Sequence, residues 1–101
     1  MEKLRPTYDL AAIKAALGSV STLAITSSAL RDAMALGFER SGIVATIASM
    51  EGRMFYKSMT TFADHRVWQD VYHVPAGDLL LYVKFQADVV TEFTVMSFKE
   101  K

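Results

Sequence analysis

Cysteine is absent from this chain of 101 residues, which excludes a disulfide framework and any zinc or iron–sulfur site built on thiolates. The chain has two histidines, His65 and His73, which are few ligands for any other kind of metal site. Glycine is scarce, with five residues, and no glycine-rich phosphate loop occurs. The longest apolar run, residues 79–83, is far shorter than the roughly 20 residues of a membrane-spanning helix. We therefore expect a soluble cytoplasmic protein with no metal and no cofactor.

An excess of charge is also missing. Lys plus Arg number 11 and Asp plus Glu number 11, so the chain has no basic tail of the kind that binds polyanions. Residues 1–6 are charged and lack the apolar core of a secretory signal. What the chain does contain is apolar material, 51 % of its residues. A domain typically holds about 100–150 residues, so we expect one domain over residues 1–101.

Three helices are predicted in residues 7–50, where apolar residues recur at helical spacing and alanine is frequent. The expected N-caps are Thr7 for the first helix, Ser27 or Ser28 for the second and Ser41 for the third. We expect Gly18 and Gly37 to end the first two helices.

From residue 53 onward the pattern favours strands. We predict strands over residues 53–61, 67–74, 79–90 and 92–101, with a turn over residues 75–78. Helices followed by hairpin-connected strands indicate an α+β domain, with three N-terminal helices packed on one face of a mostly antiparallel sheet.

The strand over residues 79–90 alternates between two faces. Leucine, valine, phenylalanine and alanine at its odd positions, up to Ala87 and Val89, are expected in the core. Its even positions set Tyr82, Lys84 and Gln86 in a row at about 6.6 Å spacing. This row is either a solvated face or a polar site on the uncovered side of the sheet.

The strand over residues 53–61 points toward the second of these alternatives. Alternation would put Lys57 between Phe55 and Met59 on one face, as a charge within a partly apolar surface. Such a surface suits a substrate with flat bases and phosphates, because aromatic stacking and a point charge both contribute to binding.

A second cluster of polar residues follows in residues 64–72. Asp64 and His65 form either a catalytic dyad or a turn-capping aspartate beside a surface histidine. Trp68 is expected in the core, as a lone tryptophan in a small domain usually is. Gln69 does not titrate, so its functional use would be orientation or the binding of an oxyanion.

Three sequence stretches, FYKSMTT (residues 55–61), DHRVWQDVY (residues 64–72) and VMSFKEK (residues 95–101), together with the opening MEK, resemble the MqsR family of bacterial toxins. The resemblance implies a RelE-like fold and an endoribonuclease that cuts mRNA without a ribosome. Because RNA supplies its own nucleophile, the 2′-hydroxyl, we expect this cleavage to need no metal ion. It also implies inhibition of translation and growth. The implied partner is a cognate antitoxin that neutralises the toxin and itself binds DNA, so that DNA is contacted only indirectly.

The resemblance also implies site residues. The family's catalytic lysine, glutamine and tyrosine fall on Lys57, Gln69 and Tyr82. From the needs of the reaction we assign charge to Lys57, orientation of the phosphate or the 2′-hydroxyl to Gln69 and proton transfer to Tyr82. The candidate RNA-binding residues are Tyr56, Met59, His65, Arg66 and Lys84. His65 is also the reserve acid–base group, because its intrinsic pKa is nearest to neutrality.

The sequence departs from the family pattern after Tyr72, where basic residues are common and this chain has His73-Val-Pro75. Two other functions stay open. One is a non-catalytic module that pairs with a partner protein through an exposed sheet edge. The other is a ribosome-dependent nuclease of the same fold.

Overall fold

The computed structural model describes residues 1–90 and 92–101, which form one sheet and three helices. The strands are β1 (Glu2–Lys3), β2 (Phe55–Thr60), β3 (Trp68–Ala76), β4 (Leu79–Asp88) and β5 (Glu92–Glu100). The helices are α1 (Leu10–Ala16), α2 (Ser27–Ala35) and α3 (Arg40–Ala48), and a 3₁₀ turn (Gly52–Met54) leads into β2.

The five strands lie in the order β1-β2-β3-β4-β5, and every neighbouring pair is antiparallel. The predicted α+β class, the three helices and the antiparallel sheet are therefore confirmed. The prediction that the helices come first is wrong, because β1 precedes them and pairs with β2. A strand of two residues is too short to produce a periodic pattern in the sequence.

The predicted helix starts are each displaced by one or two residues. Asp9 caps α1 by accepting a hydrogen bond from the Ala11 N–H at 3.2 Å. Thr26, rather than either serine, caps α2 by accepting from Ala29 at 3.1 Å. The third helix begins after Glu39, which makes no side-chain cap bond, so Ser41 is not its cap. Gly37, with φ of 92°, ends α2 as predicted.

Thr7 does not cap α1, because its polar groups are bound by the sheet. The buried carboxylate of Asp70 accepts hydrogen bonds from the backbone N–H groups of Thr7, at 3.1 and 2.9 Å, and of Tyr8, at 2.9 Å. The Thr7 hydroxyl lies 2.8 Å from that of Ser58. Asp70 thereby fastens the N-terminal segment to the centre of the sheet, and its full burial is compensated by these three contacts.

The core lies between the helices and one face of the sheet. Its largest fully buried side chains include Tyr72 and Val83, and Phe98 packs edge-on against Phe38 at 5.1 Å. The helices and the other strand positions contribute Ile13, Leu17, Ile43, Ile47, Met50, Val74, Leu81, Phe85 and Val95.

The alternation predicted for β4 holds through its centre and fails at its end. Leu81, Val83 and Phe85 are fully buried. Ala87 and Val89 are exposed, so their predicted place in the core is wrong. The predicted turn after Val90 includes Thr91, which lies outside the described residues.

A β-bulge in β2 changes which side chains share a face. Phe55 pairs with Tyr72 and Lys57 pairs with the preceding residue of β3, so Tyr56 is an extra residue. Phe55 consequently packs in the core, edge-on to Tyr72 at 5.5 Å. Tyr56 and Lys57 both lie on the other side. The prediction that Phe55 shares a face with Lys57 is wrong, because alternation assumes an unbroken pleat.

Candidate functional site

The side chains of β2 to β5 that point away from the helices form what we call the open face of the sheet. Three rows of side chains on the open face run across the strands. The first row contains Met59, Gln69, Gln86 and Thr94, and the second contains Lys57, Val71, Lys84 and Ser97. The third row contains Tyr56, His73, Tyr82 and Lys99. Rows on one face of a sheet are about 6.6 Å apart. The three candidate catalytic residues therefore lie on one surface, with Lys57 in the row between those of Gln69 and Tyr82.

Lys57 is held at the edge of this surface by an ion pair. Its Nζ donates a hydrogen bond to Glu2 Oε2 at 2.6 Å and lies 5.4 Å from the centroid of the Tyr56 ring. The side chain is 20 % exposed. The hydrogen bond to Glu2 is the main cause that raises the pKa of Lys57. The ammonium group is thus positively charged at neutral pH and close to solvent.

Tyr82 lies in the middle of the third row, directly opposite His73 and Lys99. The Lys99 ammonium is 5.5 Å from the centroid of its ring. Burial raises the pKa of Tyr82, and the charge of Lys57 partly offsets that rise. Its phenol consequently keeps its proton at neutral pH. The predicted placement of Tyr82 on the face opposite the core is confirmed.

His73 is a residue of this surface that sequence reasoning did not select. Its ring stacks on that of Tyr56 at 4.2 Å and lies 6.2 Å from that of Tyr82. Burial, and to a lesser extent Lys101, lower the pKa of His73. The one sequence signal for His73 was that it replaces the basic residues common in the family after Tyr72. The alternation of β2 did not predict the bulge that brings Tyr56 onto the same face.

Gln69 lies in the first row and is 9 % exposed. Its amide Nε2 donates a hydrogen bond to Gln86 Oε1 at 2.8 Å, across β3 and β4. The bond holds the Gln69 side chain in one orientation. Met59 is its partly buried neighbour on β2.

The zero net charge of the chain conceals a local positive surface. Lys84 is opposite Ser97 on the open face, and both burial and the charge of Lys99 lower its pKa. Val71 is fully buried between Lys57 and Lys84, its cross-strand neighbours, and long lysine stems bury apolar surface in this way. Folding therefore concentrates lysines on the face that carries the aromatic rings.

The loop between β2 and β3 lies beyond the first row. Asp64 accepts hydrogen bonds from the backbone N–H of Arg66 at 2.9 Å and from its guanidinium at 3.1 Å. Bonding to Arg66 is the main cause that lowers the pKa of Asp64. Of the two alternatives for Asp64 and His65, the structure thus shows the turn-capping aspartate beside an exposed histidine.

Trp68 is partly buried and does not belong to the core cluster, so its predicted place there is wrong. The Lys3 ammonium covers its ring at 4.1 Å, and the Tyr8 hydroxyl donates to its carbonyl at 2.7 Å. The ring therefore helps to hold β1 against the sheet.

Residues 1–90 and 92–101 contain no group of three or more histidine, aspartate or glutamate side chains placed to hold a metal ion. No helix in the same part of the chain has the length and hydropathy needed to span a membrane. A groove of about 410 Å³ lies on the helical side, away from the open face, lined by Val20, Leu30, Met34, Glu39, Arg40 and Ser41.

Comparison with known proteins identifies the family. Residues 5–100 match the family model described as motility quorum-sensing regulator, toxin of MqsA. The chain belongs to the MqsR toxin family. It is 38 % identical over 101 residues to the mRNA interferase toxin MqsR of Escherichia coli (strain K12), and the match covers the whole of both chains.

The family match confirms the resemblance seen in the sequence, and it covers nearly the whole chain. One of the stretches that carry the resemblance, FYKSMTT, contains the bulge that brings Tyr56 and Lys57 onto the open face.

Proposed function

We propose that this protein is a toxin that cleaves mRNA by attack of the RNA's own 2′-hydroxyl, without a ribosome and without a metal ion. The observation that supports the proposal best is the placement of Lys57, Gln69 and Tyr82 on one open sheet face among lysines and aromatic rings. The relative from Escherichia coli is named an mRNA interferase toxin.

The shape of the open face supports a single-stranded substrate. Single strands are bound by stacking bases on aromatic rings and by lysines that follow the phosphates. Tyr56 is 47 % exposed and backed by His73, so its outer side is a platform for a base. Lys57 lies beside it, with Nζ 5.4 Å from the centroid of the Tyr56 ring, and supplies a charge for the phosphate of such a base. Met59, Lys84 and, at the far end, His65 and Arg66 extend this surface.

Cleavage through the 2′-hydroxyl needs a proton donor for the departing 5′-oxygen and positive charge near the pentacoordinate phosphorus. Tyr82 carries a proton at neutral pH, which suits it to the first role. Lys57 carries the charge for the second. Gln69, held by Gln86, orients the phosphate or the sugar. The products are a 2′,3′-cyclic phosphate and a 5′-hydroxyl.

The proposed partner is an antitoxin of the MqsA type, since the family model describes its members as the toxin of MqsA. In this proposal the antitoxin neutralises the toxin and carries the DNA-binding part of the pair. We also propose that the fold is RelE-like, because three helices cover one face of an antiparallel sheet and leave the other open.

The test is cleavage of a synthetic single-stranded RNA by the purified protein, with no ribosomes and with excess EDTA. We expect fragments ending in a 2′,3′-cyclic phosphate, at the same rate with EDTA as with added magnesium. Activity only on translated message would contradict ribosome independence. A magnesium requirement would contradict the metal-free chemistry. Tight binding of the antitoxin without any cleavage would favour the non-catalytic module.

A further inference from the structure

The proposed ribonuclease chemistry lacks one component, a base for the 2′-hydroxyl proton. The hydrogen bond to Glu2 raises the pKa of Lys57, and burial raises that of Tyr82. Both groups therefore hold their protons at neutral pH and serve as donors or charges. Neither accepts a proton, so another residue of the open face must do so.

Glu2 is the carboxylate that the fold brings to this place. Its Oε2 is 2.6 Å from Lys57 Nζ, and its side chain is 59 % exposed. The other nearby carboxylates are engaged elsewhere. Asp70 is buried on the helix-covered face and bonded to backbone N–H groups, and Asp64 is bonded to Arg66 in the loop.

Strand β1 holds Glu2 in position. Glu2 pairs with Met59, the Met1 carbonyl accepts from the Thr60 N–H at 2.9 Å, and Lys3 lies over Trp68 at 4.1 Å. A strand of two residues buries too little surface to be stable alone. These contacts before and after Glu2 fix its register, so the carboxylate is directed toward Lys57.

The order of the groups fits an in-line displacement, in which the attacking and leaving oxygens lie on opposite sides of phosphorus. Glu2 is opposite the first row, Lys57 lies in the second and Tyr82 in the third. Across the sheet, Lys57 on β2 again lies between Glu2 on β1 and Tyr82 on β4. His73 is a less suitable base, because it is paired with Tyr82 on the side of the leaving group.

We propose that Glu2 is the general base of the reaction, a role that rests on the ribonuclease function proposed above. The Glu2 carboxylate accepts the 2′-hydroxyl proton as the 2′-oxygen forms its bond to phosphorus. The bond from phosphorus to the 5′-oxygen breaks, and that oxygen takes the proton of Tyr82. Proton exchange with water then returns a proton to Tyr82 and removes one from Glu2.

The ion pair with Lys57 is compatible with this role. A lysine ammonium carries three N–H donors, so one holds Glu2 while another contacts a phosphate oxygen. The shared lysine places the base next to the sugar whose phosphate it binds. An ion pair whose carboxylate is 59 % exposed contributes little to folding, which makes a purely structural explanation of the contact weak.

The first experiment compares Glu2→Gln with Glu51→Gln under single-turnover conditions on a synthetic RNA. Glutamine keeps the shape and an oxygen acceptor for Lys57 but takes up no proton. Glu51 is the matched control, an exposed glutamate paired with Arg53 at 2.9 Å outside the open face. We expect Glu2→Gln to slow cleavage about 100-fold or more, and Glu51→Gln to cleave like wild type.

Binding and folding are measured on the same variants. Affinity for an RNA with 2′-O-methyl groups, which is not cleaved, should change little in Glu2→Gln. Glu2→Asp, which keeps a carboxylate on a shorter stem, should retain more activity than Glu2→Gln. If Glu2→Gln and Glu2→Asp both keep the wild-type melting temperature and lose activity to the same extent, the Glu2 carboxylate is not the base.

The second experiment separates the base from the acid. A substrate with sulfur in place of the 5′-oxygen has a leaving group that needs no proton. It should restore the rate of Tyr82→Phe and leave Glu2→Gln slow. If this substrate restored the cleavage rate of Glu2→Gln, the proposal would be overturned. Tighter RNA binding together with faster cleavage in Glu2→Gln would also overturn it, because the carboxylate would then be blocking Lys57.

The failures of the two proposals are distinguishable. Wild-type protein that leaves free RNA intact overturns the ribonuclease function and the role of Glu2 together. If wild type and Glu51→Gln cleave RNA and Glu2→Gln cleaves it equally fast, only the role of Glu2 is overturned.

Discussion

The covered and open faces of the sheet are built from alternate residues of the same strands, yet they differ in almost every physical property. Tyr72, Val83 and Phe98 point into the helical layer and are essentially inaccessible to water. Their chain neighbours His73, Tyr82 and Lys99 form a row of aromatic and charged groups on the other side. Stability and chemistry are therefore separable in this sheet. Substitutions on one face should unfold the protein, and those on the other should inactivate it while folded.

The covered face should give the largest loss of stability. Phe98 is fully buried and packs against Phe38 at 5.1 Å, so Phe98→Ala leaves a cavity in the core. We expect the free energy of unfolding to fall by about 3–5 kcal/mol, measured by urea denaturation. Lys99→Ala, the next residue on the open face, is the matched control for stability. A loss below about 1 kcal/mol for Phe98→Ala would contradict the assignment of the core.

On the open face, Lys57→Met should abolish most activity without unfolding the protein. Methionine keeps an unbranched stem beside Val71 but removes the charge next to the phosphate. Loss of one transition-state contact corresponds to about 3–4 kcal/mol, or roughly 10²–10³ in the rate of RNA cleavage. The melting temperature should stay close to that of wild type. Full activity at equal concentration, or a variant that fails to fold, would break the separation of the two faces.

Tyr82→Phe tests whether the open face supplies a proton or only an aromatic surface. The ring and its contact with Lys99 remain, and the hydroxyl is lost. We expect cleavage to fall about 100-fold, with RNA affinity and melting temperature nearly unchanged. Wild-type rates for Tyr82→Phe together with an inactive Tyr82→Ala would instead make Tyr82 a stacking platform.

His73 should give the smallest effect, a dependence of stability on pH. Burial lowers the pKa of His73 below the ordinary value of about 6.5, so the unfolded chain binds its proton first. Stability from this group is present above about pH 6.5 and is lost as the pH falls through the folded-state pKa. His73→Phe keeps a ring against Tyr56 and should weaken the fall in melting temperature between pH 7 and pH 5. His65→Phe controls for the loss of a histidine, and an unchanged slope in His73→Phe would contradict the burial of His73.

Much of the site could be predicted because its strands are long enough to alternate. The even positions of β4 placed Tyr82, Lys84 and Gln86 together, and the structure shows them on one face. The sequence stretches that resemble the family located Lys57 and Gln69. The role of these two residues in catalysis stays a prediction. The core positions of β4 were equally visible as far as Phe85, the last fully buried residue of the strand.

Composition and period by themselves determined the class of this protein, since a run of alanine-rich helices followed by alternating strands allows few architectures. The details that shape the site depend on contacts between residues distant in the sequence. The bulge that turns Tyr56 toward His73 depends on a strand distant in sequence, because a bulge exists only relative to its partner. The contact of Glu2 with Lys57 spans 55 positions of the chain. No local pattern encodes such a contact, because a two-residue strand has no period and gains its place only from the neighbours that folding brings to it.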